Sequence, residues 1–181
     1  PRFLRTLDRS ISRHSGARLP LTAVPLRFGS WMGGDRDGNP NVTPAVTREV
    51  CLLNRWMAAD LYLREIEPLR WELSMTRCDA ELRERVGDAW EPYRELLRSV
   101  SERLAATKRH AEALLAGRPA PADPIYQRAD ELARPLHACY RSLHATGAGH
   151  VADGRLLDLI RRIGCFGLTL VRVDLRQEAE R

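Results

Sequence analysis

The residues best suited to chemistry fall in two short stretches. The first is the loop Gly33-Gly34-Asp35-Arg36-Asp37-Gly38-Asn39-Pro40, which packs fixed charges between glycines and ends on a turn. Glycine permits positive φ and close approach of a ligand to the backbone. An arginine fork suits a carboxylate or a phosphate. A purely structural turn, with Asp35 and Asp37 pairing Arg36 and bonding backbone amides, is equally compatible with these residues. The loop is not a phosphate-binding P-loop, because the Gly-Lys-Ser/Thr ending is absent and the spacing differs. The second stretch is Arg172, Asp174 and Arg176, three charges at alternate positions near the end of the chain. They suit an anion site, or an ion network that is only structural. Trp31, beside the glycine loop, is placed to line a pocket. Trp31, Trp56, Trp71 and Trp90 all have the spacing of core or helix-contact residues. His137 and His144 lie on one helix as core-edge or surface residues, and His14, His110 and His150 fall near helix ends or in loops.

Elements must position these groups. Phe3, Leu4, Leu7 and Ile11 recur at helical spacing from Arg2 to His14, and Ser15-Gly16 stops the run. Residues 26–32 read as a strand leading into the glycine loop. Thr43-Pro44 opens the longest helix, with threonine as N-cap and proline at the first position, where its missing N–H is no loss. Val46, Val50, Leu53, Met57 and Leu61 mark its expected buried face, and Pro68 is expected to kink it near Arg64. A short helix to Val86 follows. Pro92 starts another, with Leu96, Leu97, Val100, Leu104, Ala111 and Leu114 on its stripe and Gly117 at its end. The proline-rich run 118–123 reads as a surface loop. Asp123-Pro124 is expected to open the next helix, with a kink at Pro135, and Asp153 to cap the last, which Gly164 ends.

The span 167–176 reads as a strand with two unlike faces. Thr169, Val171, Val173 and Leu175 form an apolar face, while Leu168, Leu170, Arg172, Asp174 and Arg176 turn from apolar to charged. A strand buried on both sides does not end in charges unless something there needs them. In a parallel β/α barrel that place is the mouth of the active site.

Composition excludes several classes. With 44% hydrophobic residues and no long block of like charge, the 181-residue chain has enough apolar material for a core and is not of the disordered type. No stretch approaches 18 uninterrupted apolar residues, so no membrane span is expected. The start Pro1-Arg2-Phe3-Leu4-Arg5 carries no secretory apolar segment. The basic residues are almost all arginine, with Lys108 the only lysine, and the net charge of +5 is interleaved with acids. That patterning suits solvated helices with i,i+4 pairs more than a nucleic-acid stripe. An arginine-rich helical module for nucleic acid or protein is the alternative reading. Cys51, Cys78, Cys139 and Cys165 are scattered without CxxC or zinc spacing, so no metal cluster is expected. Reduced, mostly buried thiols in a cytoplasmic protein follow.

The run Phe28-Gly29-Ser30-Trp31-Met32-Gly33-Gly34-Asp35-Arg36-Asp37-Gly38-Asn39-Pro40-Asn41-Val42-Thr43 closely resembles the glycine-rich signature of the phosphoenolpyruvate carboxylases. Phe166-Gly167-Leu168 through Val171-Arg172-Val173-Asp174-Leu175-Arg176-Gln177-Glu178 resembles a second signature of that family, and Leu73-Ser74-Met75 and the Cys139-Tyr140 helix match in order between them. The resemblance covers nearly the whole chain. It implies a single internal segment of a longer bacterial enzyme: mainly α, a helical insertion over 43–164 plus one or two strands (26–32 and 167–176) of a β/α barrel. It implies carboxylation of phosphoenolpyruvate by bicarbonate to oxaloacetate and phosphate, without nucleic acid or membrane, in a cytoplasmic, homotetrameric parent. Mg2+ or Mn2+ is implied for that parent, with acidic ligands downstream of this segment and the catalytic histidine upstream of it. The segment alone is then expected to be inactive. Arg176 aligns with the family arginine that contacts the phosphate, whereas Trp31, Asp35, Arg36 and Asp37 fall in the motif near the active site. Arg172 joins them as a substrate-binding candidate through the strand argument. Plant members carry an arginine where this chain has Asn41, so activation by a sugar phosphate through that contact is not expected; bacterial relatives are often controlled instead by acetyl-CoA and aspartate.

Overall fold

The computed structural model describes residues 2–177; Pro1 and Glu178, the last residue of the second signature, lie outside the described residues. Helix α1 covers Arg2–Ser15, strand β1 Gly29–Ser30, α2 Pro44–Glu72, α3 Ala80–Val86, α4 Pro92–Leu115 and α5 Ala129–Ala145. A short helix α6 (Gly149–Val151) runs through a π-helical turn at Ala152–Leu156 into α7 (Leu157–Phe166), and β2 (Arg172–Val173) follows. The molecule is mainly helical.

Helix starts follow local chemistry. The Thr43 hydroxyl accepts from the Val46 amide at 3.3 Å with Pro44 at the first position of α2. The Asp79 carboxylate accepts from the Leu82 amide at 2.9 Å to start α3. The core is a helical block whose broadest contact is between α2 and α4. Ile66, Leu69 and Leu73 meet Leu97, Val100 and Leu104, with Leu132, Leu136 and Leu143 of α5 and Leu156, Leu159 and Ile163 behind them. One polar knot is buried in it: Ser142 Oγ takes the Asp79 amide at 2.9 Å and lies 2.9 Å from the Tyr93 hydroxyl.

The structure corrects several expectations. Leu53, Met57 and Leu61 are exposed, and α2 buries Ala58, Ala59, Tyr62, Ile66 and Leu69 instead. Both faces of α2 are apolar, so periodicity could not choose between them. The helix continues through Pro68 to Glu72. Asp123-Pro124 does not open α5, which starts at Ala129. The intervening chain is tied to α4, where Thr107 Oγ1 accepts the amide of buried Tyr126 at 2.9 Å. Asp153 caps no helix; its carboxylate serves Tyr140 and Arg18. Trp31, Trp71 and Trp90 are exposed rather than core, and only Cys139 of the four thiols is buried, which pushes its pKa up to about 12.

β1 and β2 pair in parallel, Gly29 opposite Arg172 and Ser30 opposite Val173, with α2 through α7 as the crossover. Parallel strands require such a long connection. The pairing is shorter than the spans 26–32 and 167–176 that alternation suggests. Gly167, at φ 60°, caps α7, and Leu170 sits at φ 59°, so 167–170 is a turn. Leu168 therefore drops into the helical core instead of onto a strand face, and Thr169 and Leu175 are exposed.

The strand pair leaves Phe28, Trp31, Met32 and Leu175 exposed, and α2 adds Leu53, Met57 and Leu61. Exposed apolar surface of this kind seeks partners. The isolated 181-residue chain is expected to self-associate or to bind a hydrophobic dye. A monodisperse monomer by light scattering, with negligible dye fluorescence, would contradict this.

Candidate functional site

The parallel ladder carries the glycine loop and the end of the chain together. Arg172 N–H donates to Phe28 O at 3.1 Å, and Asp174 N–H to Ser30 O at 2.9 Å. Further on, Arg176 N–H donates to Gly34 O at 3.0 Å, and Arg36 N–H to Arg176 O at 2.9 Å. The last pair forms a parallel bridge between Asp35 and Arg176. The loop turns into this ladder through Gly34 N–H and Asp35 N–H, which both donate to Trp31 O, at 2.9 and 3.0 Å.

Two glycines make this fit possible. A Cβ on Gly34 would stand 2.2 Å from Asp174 O and 2.7 Å from Val173 Cγ1. Gly33, at φ 77°, lies against α2, where a Cβ would stand 2.6 Å from Val50 Cγ2. The loop is thus wedged between β2 and the start of α2.

On this frame the side chains of Arg176 and Trp31 meet, with Arg176 Cζ 5.2 Å from the indole centroid, within cation–π range. Arg36 reaches toward α2: its Nη2 donates to Thr47 Oγ1 at 3.3 Å, while its buried Nε has no partner among the described residues. Asp35 Oδ1 accepts from the Asp37 amide at 3.3 Å, which shapes the loop tip. The structural-turn reading required Asp35 and Asp37 to pair with Arg36; no such ion pair is present among the described residues. Likewise Arg172, Asp174 and Arg176 form no ion pairs there, whereas helical arginines such as Arg98, with Glu95 and Glu102, do. Among the described residues the ladder thus holds arginines without ion-pair partners beside an aromatic face, an arrangement able to receive an oxyanion through the planar guanidinium fork.

Not every candidate joins this group. Arg172 lines a separate recess of about 220 Å³, with Phe28, Phe166 and Thr169. The histidines are elsewhere: His144 lies 3.3 Å from Asp153, and burial together with Arg141 lowers the pKa of His137. Three supporting residues are not among the site candidates that the sequence offers. Thr47 orients Arg36, Val50 backs Gly33, and the Tyr62 hydroxyl donates to Gly167 O at 2.6 Å, tying the approach to β2 onto α2. Thr47 and Val50 follow the glycine loop within two turns of helix, a proximity that could have signalled them; Tyr62 left no local signal. Among the described residues no group of three or more His, Cys, Asp or Glu could hold a metal ion, so these residues do not fit Mg2+ or Mn2+. Nor is any described helix long and apolar enough to cross a membrane.

Comparison with known proteins matches this segment closely. The family described as phosphoenolpyruvate carboxylase matches residues 1–181. Phosphoenolpyruvate carboxylase of Ectopseudomonas mendocina is 57% identical over 181 residues, covering 100% of this chain and 21% of that protein. Those of Pseudomonas aeruginosa and Marinobacter nauticus are 55% and 56% identical over the whole chain, which covers 21% and 20% of their lengths. This chain thus spans about one fifth of the curated relatives it matches. With both signatures joined in one ladder and the match running from end to end, the chain belongs to the phosphoenolpyruvate carboxylase family.

Proposed function

We propose that this chain is an internal segment of a full-length phosphoenolpyruvate carboxylase and supplies one wall of the site where bicarbonate carboxylates phosphoenolpyruvate. The carrying observation is the ladder that sets Arg176 against Trp31, next to Asp35 and Arg36, from opposite ends of the sequence. The parallel strand pair with a helical crossover supports reading β1 and β2 as part of a β/α barrel whose other strands belong to the rest of the parent.

In this reading the Arg176 fork holds the phosphate of phosphoenolpyruvate. The phosphoryl group moves from the enol oxygen to a bicarbonate oxygen, giving carboxyphosphate and the enolate of pyruvate. Carboxyphosphate breaks into CO2 and phosphate, and CO2 adds to the enolate carbon to form oxaloacetate. Fixed cations aimed at the migrating phosphate lower the barrier because they need no reorganisation. Arg36, held by Thr47, adds a second positive charge near the loop, and the Asp35–Asp37 turn fixes its approach. The Trp31 indole gives an apolar wall that limits water around a reactive enolate. Arg172, in its own recess, is the second candidate for anion binding. The divalent metal and the catalytic histidine are assigned to parts of the parent outside this chain.

The test compares two proteins. The full-length parent is expected to form oxaloacetate from phosphoenolpyruvate with bicarbonate and Mg2+, while the purified 181-residue chain forms none above a blank. One wall of a site cannot supply the preorganisation that the reaction needs. Oxaloacetate formation by the chain alone would refute the partial-site reading, and an inactive, folded parent would refute the activity.

A further inference from the structure

Away from the residues of the ladder, Arg161 of α7 is 3% exposed, yet its Nε and Nη1 have no partner among the described residues. Its Nη2 stands 3.3 Å from Asp8 Oδ2, a long contact for a charge-assisted pair. Asp8 is already taken: Arg18 Nη2 reaches the same oxygen at 3.1 Å, and the Leu19 amide donates to Oδ1 at 2.7 Å. Asp153 is taken too, by Arg18 at 2.7 Å, the Tyr140 hydroxyl at 2.6 Å and His144 at 3.3 Å. Arg5 is engaged by Asp158 at 2.9 and 3.0 Å. Arg9, one turn along α1, has no carboxylate partner among the described residues and makes only 3.4 Å contacts with Arg5 O and Thr6 Oγ1. The carboxylates here are already engaged, as are Arg5 and Arg18, whereas Arg161 and Arg9 keep donors without a carboxylate among the described residues. A buried guanidinium with unmet donors is costly unless an acceptor is supplied.

Arg5, Arg9, Arg18 and Arg161 line one open cavity of about 330 Å³ with Asp8 and Asp153. We infer that this cavity between α1 and α7 is a second anion site, separate from the ladder, which takes a phosphate group, free or as a small monoester. Arg161 supplies donors from its floor and Arg9 from its rim. A tetrahedral oxyanion matches this arrangement, because its several oxygens can meet guanidiniums from different directions. The inference does not depend on the activity proposed above.

The test uses the full-length parent without divalent metal, so that no turnover occurs, and with saturating phosphoenolpyruvate, so that its own phosphate site is occupied. Inorganic phosphate is titrated calorimetrically, then glycerol 3-phosphate in a second arm. Binding by at least one is expected, and tighter binding of the ester would identify a monoester site. Arg9→Gln, at an exposed position, is expected to weaken binding about tenfold, the scale of one charge-assisted hydrogen bond, with kcat/KM for phosphoenolpyruvate unchanged. Arg161→Gln is expected to abolish binding. Because its burial puts folding at risk, Arg9→Gln decides the matter if that variant does not fold. No binding of either anion, or equal affinity in wild type and Arg9→Gln, would overturn the site.

Discussion

Replacing Arg176 by lysine in the full-length parent is expected to lower kcat/KM for phosphoenolpyruvate by roughly two orders of magnitude, the scale of one lost oxyanion-type contact. Lysine keeps the charge and loses the planar fork, so phosphate is held at one point instead of two. Charge redistributes over the phosphoryl group during transfer, so the deficit grows toward the transition state and falls on kcat as well as on KM. The fold has little stake in this side chain. Arg176 is exposed, makes no ion pair among the described residues, and joins the ladder through its backbone. Circular dichroism and thermal midpoint should therefore match wild type. Near-normal kinetics would remove Arg176 from the phosphate and make Arg172 the better candidate; a lost thermal transition would assign it a structural role instead.

Gly34→Ala is expected to be as damaging through geometry alone. Its Cβ would lie 2.2 Å from Asp174 O, well inside any tolerated contact, and the obstacle is backbone, which cannot rotate away. The loop must move off β2, stretching the bonds Arg176 N–H to Gly34 O and Arg36 N–H to Arg176 O. A displacement of about 1 Å at a reacting site can cost about a hundredfold in rate, and kcat/KM of the parent should fall by that order while the helical circular dichroism persists. Gly38→Ala is the control. It has φ 63° but no atom within 4 Å of an added Cβ, so only backbone strain is introduced, about 1 kcal/mol. Equal activity of the two variants would show that the close approach at Gly34 does not position the site.

The contrast between these glycines marks where sequence reading stops. Both sit in the same loop and both look like turn residues, yet only Gly34 faces another backbone, and that neighbour, Asp174, comes from the opposite end of the chain. The same limit applies to α2. Its caps were legible at Thr43 and Pro44 because capping is local chemistry. Its buried face was not, because Leu53, Met57 and Leu61 compete with Tyr62, Ile66 and Leu69, and only α4 selects between them. The strand over 167–176 was overread for a related reason. Alternation continued through Leu168 and Leu170, but the Gly167 cap of α7 and the pull of the helical core turned those residues into a bend.

The sequence by itself determined the family through its two signatures, the helical character, the starts of α1, α2 and α4, and the two stretches that carry candidate chemistry. These are local patterns of residue type, and local physics suffices to read them. Tertiary structure alone decided that the stretches share one parallel ladder, that Arg176 lies on Trp31 while Arg172 faces a separate recess, and that Arg161 is buried with donors unmet. Each of those facts depends on which distant segments pack together. That packing is settled by the helical core between the two motifs, whose helices set where β1 and β2 meet.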